Sequence, residues 1–177
     1  NTTPMKKNVC LILLLATASF CFAQTSIETL VADYERAKTM SLEYVDAMPA
    51  DKFGYKPADD VRTFAEQFLH SAQGTIGLVS NGTGADKIYA TANLEKDASL
   101  QSKEEVRRMV TESFDFAIQS IKNMDASTFG EIVERGPFKI TRLAWIQKAH
   151  EHISHHRGQA AVYLRMNGVV PPKYKLF

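Results

Sequence analysis

Apolar residues return at every third or fourth position along four separate stretches of this chain, and helix-starting or helix-stopping residues bound each stretch. The first stretch, about Thr25 to Met48, carries Ile27, Leu30, Val31, Tyr34, Ala37, Ser41, Val45 and Met48, and Pro49 and Tyr55-Lys56-Pro57 end it. The second, about Thr63 to Ser80, opens on Thr63-Phe64-Ala65-Glu66, a capping box in which the threonine oxygen and the glutamate carboxylate each satisfy an orphan amide. Asn81-Gly82-Thr83-Gly84 marks its end. Ser102-Lys103-Glu104-Glu105 repeats the capping pattern ahead of the third stretch, about Ser102 to Met124, with its apolar row Val106, Met109, Val110, Phe114, Ala117 and Ile121. The fourth, about Thr141 to Asn167, is the longest, and Gly168 followed by Pro171-Pro172 closes it.

Four amphipathic helices with no strong strand pattern predict an all-α fold, a four-helix bundle in a single domain over residues 24–177. Two connections stand out. About 20 residues separate the second and third helices, long for a simple up-and-down bundle and suited to crossing over or covering one end. Between the third and fourth, Glu131-Ile132-Val133 and Phe138-Lys139-Ile140 flank Arg135-Gly136-Pro137, the pattern of a short hairpin or of a plain loop.

Upstream of the first helix, Met5-Lys6-Lys7, the apolar run from Val9 and Cys21-Phe22-Ala23 have the layout of an export signal. Residues 1–23 are read as that signal, with residues 1–4 a vector or upstream remnant. The apolar run of about 15 residues is shorter than the roughly 20 that span a bilayer, so the expected product is periplasmic or secreted, with no stable membrane anchor. The chain's two cysteines, Cys10 and Cys21, lie inside this segment, which excludes disulfides, thiolate nucleophiles and cysteine-ligated metals from the mature protein. Losing Lys6 and Lys7 leaves 19 basic residues against 20 acidic ones, a near-neutral balance that points away from nucleic acid and anionic lipid.

Four of the five histidines fall in the ten residues His150-Glu151-His152-Ile153-Ser154-His155-His156-Arg157-Gly158-Gln159. At about 100° per residue, His152 and His156 share one face a turn apart, and Gln159 returns to within about 20° of His152. That face also carries Trp145, Ala149, Ile153, Ala160 and Tyr163, so the two histidines replace core residues. Burying unpaired imidazoles is costly unless each is hydrogen-bonded within the core or ligated. His150, about 160° from His152, is expected to face solvent, and His155 borders the stripe as the substitute ligand. Arg157 points about 100° away, toward a structural ion pair, and Gly158 is expected to allow close packing. His70 sits within the second helix, and Gly74 and Gly77 on its own face leave space at the cost of helix stability.

One histidine from one helix and two from another offer three neutral nitrogens to a cation and leave a coordination position open, the arrangement of catalytic zinc; nickel and iron also suit imidazole. Competing motifs fail. Ser154 stands where a zincin would place its second ligand, no glutamate has a histidine three residues on, and Cys-x-x-Cys-His is absent. Histidine–methionine haem ligation stays open, with no particular methionine indicated.

Taken together, Thr63-Phe64-Ala65-Glu66-Gln67-Phe68-Leu69-His70, the segment His152 to Gln159, the ending Tyr163-Leu164-Arg165-Met166-Asn167-Gly168 with Pro171-Pro172, and Phe53-Gly54-Tyr55-Lys56-Pro57 resemble the DinB superfamily, the DinB/YfiT-like metalloenzymes. The resemblance covers essentially all of the mature chain. It implies a four-helix bundle with a three-histidine metal site at His70, His152 and His156, the residues that helix geometry selects independently. It also implies metal-dependent transfer of low-molecular-weight thiols or a related isomerisation as activities within the family. An exported protein would stand apart from the cytoplasmic thiol pool.

Two functions follow from these readings. One is a metal-dependent hydrolase or transferase acting on a small molecule, with Glu66 as candidate general base and Gln159 as candidate hydrogen-bond partner of substrate or metal-bound water. The other is a non-catalytic metal-binding bundle in which the ion joins the second helix to the fourth. A bundle of this size also raises the expectation of a homodimer through a helix face.

Overall fold

A computed structural model describes residues 25–176, and the export-signal reading lies outside them. Helix α1 spans Ile27–Ala47, α2 Phe64–Thr83, α3 Lys103–Lys122 and α4 Arg142–Met166. Strands β1, Ile132–Arg135, and β2, Phe138–Thr141, form an antiparallel hairpin that pairs Arg135 with Phe138. A two-residue turn needs a left-handed residue, which Gly136 supplies at φ 55°.

The caps act largely as the sequence indicates. Both arms of the Thr63–Glu66 box are made, the Glu66 amide donating to Thr63 Oγ1 at 3.1 Å and the Thr63 amide to Glu66 Oε2 at 2.8 Å. Ser102 caps α3 through the Glu105 amide, but the second arm is missing because the Glu105 carboxylate accepts from Arg108 instead. Helix α2 runs past Asn81 and Gly82 to Thr83, and Gly84 ends it at φ 82°. Gly82 lies inside because a Cβ there would come within 2.8 Å of the Arg142 carbonyl oxygen, where α2 and α4 touch.

Helix α1 packs on α3, α3 on α2, α2 on α4, and α4 more lightly on α1. The helix directions follow from the pairs that meet. Lys38 meets Asp115 and Arg107 meets Asp46, so α1 and α3 are antiparallel. Gln67 meets Gln159 and Gly82 meets Arg142, so α2 and α4 are antiparallel too. Tyr34 donates to the Ile146 carbonyl at 2.7 Å and Tyr44 lies at Pro172, which makes α1 and α4 parallel. Adjacent helices α2 and α3 therefore run the same way. The chain leaving the end of α2 must return about 30 Å, the length of its 20 residues, before α3 begins. This is why the second connection is long: it is a crossover that runs back along α2. Short 3-10 turns at Leu94–Lys96 and Ala98–Leu100 bury Leu94 and Leu100 beneath it.

Among the described residues no helix is long and apolar enough to cross a membrane.

Candidate metal centre

The three predicted ligands come together in the seam between α2 and α4. One ring nitrogen from each of His70, His152 and His156 falls within a group no wider than 4.8 Å. Ring centroids lie 5.2 Å apart for His70 and His152, 4.8 Å for His70 and His156, and 4.4 Å for His152 and His156. His156 is buried, and His70 and His152 are half-buried. The stripe that carries the pair on α4 is the core face, since Trp145, Ala149, Ile153, Ala160 and Tyr163 are all buried.

Gly74 makes room for the third ring. A Cβ at that position would lie 2.5 Å from His152 Cε1 and 2.8 Å from Nδ1, closer than atoms approach. Gly77 meets nothing within 4 Å.

A backbone carbonyl fixes the tautomer of His156. The Arg62 carbonyl can only accept, so Tyr163 Oη donates to it at 2.7 Å. The Tyr163 oxygen must then accept from Gln67 Nε2, 3.1 Å away, and the same amide nitrogen donates to Gln159 Oε1 at 2.7 Å. This turns Gln67 Oε1 toward His156 Nδ1, 2.7 Å away, so Nδ1 carries the proton and Nε2 is a bare lone pair. Gln67 is only 2% exposed, and its alternative orientation would set its amide oxygen against the Tyr163 oxygen, whose hydrogen is already given to Arg62, and against Gln159 Oε1.

A carboxylate does the same for His70. Glu95, on the crossover, places Oε2 2.8 Å from His70 Nδ1 and takes Arg62 Nε on Oε1 at 3.0 Å. Burial raises the Glu95 pKa, but hydrogen bonds from His70 and Arg62 and the charge of Arg62 outweigh it and hold the carboxyl below its ordinary range. An ionised carboxylate only accepts, so His70 Nδ1 carries a proton, and in the neutral ring Nε2 is the free lone pair. Arg62 Nη2 also approaches His70 Nδ1, at 3.2 Å, but two donors cannot bond each other, so that contact is electrostatic only.

His152 has no tautomer that satisfies it within the protein. Its Nε2 faces His156 Nε2 at 3.1 Å, and its buried Nδ1 has no hydrogen-bond partner. If Nε2 carries the proton, Nδ1 is an orphaned acceptor; if Nδ1 carries it, Nδ1 is an orphaned donor and two lone pairs face each other. Two imidazole nitrogens bound about 2.1 Å from one tetrahedral cation would sit about 3.4 Å apart, close to the spacing observed. The donor set fits a cation of the kind imidazole favours. Burial, and then the neighbouring histidines, press the His152 pKa down to about 4 and the His156 pKa down to about 3, so both rings are neutral and able to ligate at neutral pH.

The remaining sequence candidates fall around this centre. Glu66 stands on the cap of α2, with Oε1 accepting from Lys96 at 2.9 Å. Burial raises its pKa, but the Thr63 amide and Lys96 more than offset this and keep it below the usual carboxylate range. Gln159 spans Gln67 and His155, meeting His155 Nε2 at 2.6 Å, and His155 is exposed. Glu66, Gln67, Glu95 and Gln159 line one cleft of about 390 Å³, and His152 and His155 line another of about 350 Å³.

Three expectations for the α4 residues around the ligands are corrected. His150 does not face solvent; it is half-buried with its ring 5.7 Å from that of Tyr34, because α1 lies alongside α4. Arg157 forms no ion pair among the described residues. It is only 6% exposed and its Nη1 has no hydrogen-bond partner, since the α1 side of α4 presents Tyr44 and Arg36 to it rather than an acid. Gly158 is exposed and meets nothing within 4 Å, so no close packing requires it. Sequence reasoning missed Gln67 and Glu95. Gln67 was detectable as a lone amide between the apolar Phe64 and Phe68, whereas Glu95 lies in a segment without periodicity.

A four-helix bundle with one crossover and an open three-histidine cluster in one seam defines the class of protein. Its sequence then places it: the DinB superfamily profile matches residues 33–160, and the chain belongs to that superfamily. Solved structures agree on the fold. A DinB-like protein from Bacillus cereus ATCC 10987 superposes with a TM-score of 0.74 at 16% identity, covering 87% of this chain and 100% of that one. The DinB-like protein YjoA from Bacillus subtilis gives 0.60 at 16% identity, covering 82% and 95%. A conserved protein from Enterococcus faecalis gives 0.65 at 14% identity, covering 81% and 98%. No curated protein matches the chain.

Proposed function

We propose that this protein binds one divalent transition-metal ion through His70, His152 and His156 and uses it as a hydrolase or transferase acting on a small molecule. The observation that carries the reading is the convergence of three imidazoles: one ring nitrogen from each of His70, His152 and His156 lies within 4.8 Å of the others. His152 Nε2 and His156 Nε2 face each other at 3.1 Å, and with the His156 proton held on Nδ1 by Gln67 both can turn lone pairs to one cation. Zinc is the first choice of ion, with nickel and iron next.

Three protein ligands leave a position open, where a bound cation would polarise a substrate oxygen or generate a nucleophile from water near neutral pH. The chain supplies the rest. Gln67 and Glu95 hold their histidines by Nδ1, which leaves Nε2 of each neutral ring as the lone pair for the cation. Gln159 lies beside His155 at the mouth and is the candidate donor to substrate or water. Glu66 is the candidate base, a role that requires its carboxylate to exchange Lys96 for the incoming proton. That prior engagement of Glu66 favours the second reading, a non-catalytic metal-binding bundle.

Elemental analysis of the purified protein beside His70→Ala, His152→Ala and His156→Ala tests the site. Near-stoichiometric metal in the wild type and its loss from all three variants is the expected result; a metal-free wild type overturns it. Azide or a small thiol perturbing the spectrum of the cobalt-substituted protein would support an open, enzyme-like position, and an unresponsive spectrum would support the non-catalytic reading.

A further inference from the structure

The crossover is anchored where it passes the histidines, and the anchors are specific. Gln73, three residues after His70 on α2, holds the segment's backbone at two points: its Nε2 donates to the Ala92 carbonyl at 2.8 Å and its Oε1 accepts from the Leu94 amide at 3.0 Å. Leu94 is 2% exposed, seated in the core. Glu95 then meets His70 and Arg62, Lys96 meets Glu66, and Gln101 Nε2 returns to the Glu95 carbonyl at 3.2 Å. A connection needed only to join two helices requires none of these side chains.

We propose that residues 92–96 are a docked part of the metal centre, with Glu95 as the positioning residue of His70, so that cation binding and docking of this segment are thermodynamically linked. The inference rests on the reading of His70 as a ligand. A carboxylate accepting from Nδ1–H fixes the ring's tautomer and orientation and raises the basicity of Nε2, as outer partners of metal-bound histidines do. Ligation at Nε2 in turn draws electron density from the ring and strengthens the Nδ1–H bond to Glu95. Linkage makes the effect reciprocal: the factor by which docking raises cation affinity is the factor by which the cation stabilises docking. The crossover thereby becomes a strap whose order reports on the occupancy of the site.

The first test needs no metal. Imidazole nitrogen NMR of the metal-free protein should show His70 as the Nδ1–H tautomer, which free histidine disfavours, and Glu95→Ala should abolish that state. A wild-type His70 protonated on Nε2 overturns the positioning role whatever the protein binds. The second test uses zinc alone. Glu95→Gln should lower zinc affinity about tenfold and Glu95→Ala up to about 100-fold. Gln73→Ala, which touches the strap's backbone and no histidine, should lower it in the same direction. Zinc should slow amide exchange across residues 92–96 of the wild-type protein and leave the β1–β2 hairpin unchanged. Wild-type affinity in all three variants, with no exchange response, overturns the linkage while the three-histidine site stands. A wild type that binds no zinc while His70 is Nδ1–H and sensitive to Glu95 refutes metal linkage and leaves Glu95 as a positioning residue only.

Discussion

Gly74 and Gly77 lie one turn apart inside α2, and helix propensity alone predicts that alanine at either would stabilise the protein by about 1 kcal/mol. The structure separates them. At Gly77 an added Cβ meets nothing within 4 Å, so Gly77→Ala should realise that gain, raising the melting temperature by about 2–4 °C for a chain of this size. At Gly74 the Cβ would stand 2.5 Å from His152 Cε1, and one of the two must move. The helix backbone is held on both sides by its hydrogen-bond ladder, whereas the His152 ring turns about two single bonds, so the ring gives way. The propensity gain then offsets the repacking, and stability should change by less than about 1 kcal/mol. Zinc affinity should not escape in the same way. Losing a ligand costs more than the roughly 10–100-fold that losing an outer hydrogen-bond partner costs, so Gly74→Ala should bind zinc at least 100-fold more weakly than wild type. Gly77→Ala should bind as wild type does. Thermal denaturation of the metal-free proteins, paired with zinc competition against a chromophoric chelator, reads both quantities. Unchanged zinc affinity in Gly74→Ala, or two glycine variants that behave alike in both assays, would refute the placement of His152.

Arg157→Met should stabilise the protein by about 1–3 kcal/mol in urea denaturation, because it removes a buried guanidinium nitrogen with no partner while keeping most of the chain's length; destabilisation would mean that Arg157 has a counter-charge. Metal-free protein should lose stability as pH falls. His152 and His156 sit at about 4 and about 3 in the fold against an ordinary 6.5, so between those values the unfolded chain binds more protons, and the urea midpoint should decline from pH 6.5 downward and be flat above it in their contribution. Saturating zinc should shift that decline to lower pH. Thr63→Ala removes one arm of the α2 capping box and should cost about 1 kcal/mol with little change in zinc affinity, since Thr63 touches no ligand; a large loss of metal would tie the helix start to the site.

The sequence carries the helices clearly because their boundaries are local. Thr63, Ser102, Thr141 and Gly168 act on the backbone within a turn of themselves. The convergence of the three histidines was legible for a related reason: a four-residue step fixes His152 and His156 on one face, and His70 lies on the core side of another helix. What was illegible depends on helix direction. Nothing within α2 or α3 states that they run parallel, so neither the course of the crossover nor the meeting of Glu95 with His70 follows from spacing. Arg157 shows the same limit. The angle away from the ligands was right, but what faces that side is decided by α1, more than a hundred residues earlier.

The order of packing bears on how the chain reaches this state. Helices α1 and α2 are consecutive but lie across the bundle from one another, as do α3 and α4, and α2 with α3 meet only once the crossover has been laid down. No consecutive pair of helices can close as a local hairpin, the step that lets simple helical bundles form quickly. Each helix must wait for a neighbour distant in sequence, which raises the contact order toward that of mixed folds and predicts slower folding than the helical content would suggest. The β1–β2 hairpin is the exception, an antiparallel pair of chain neighbours whose contacts with each other are all local.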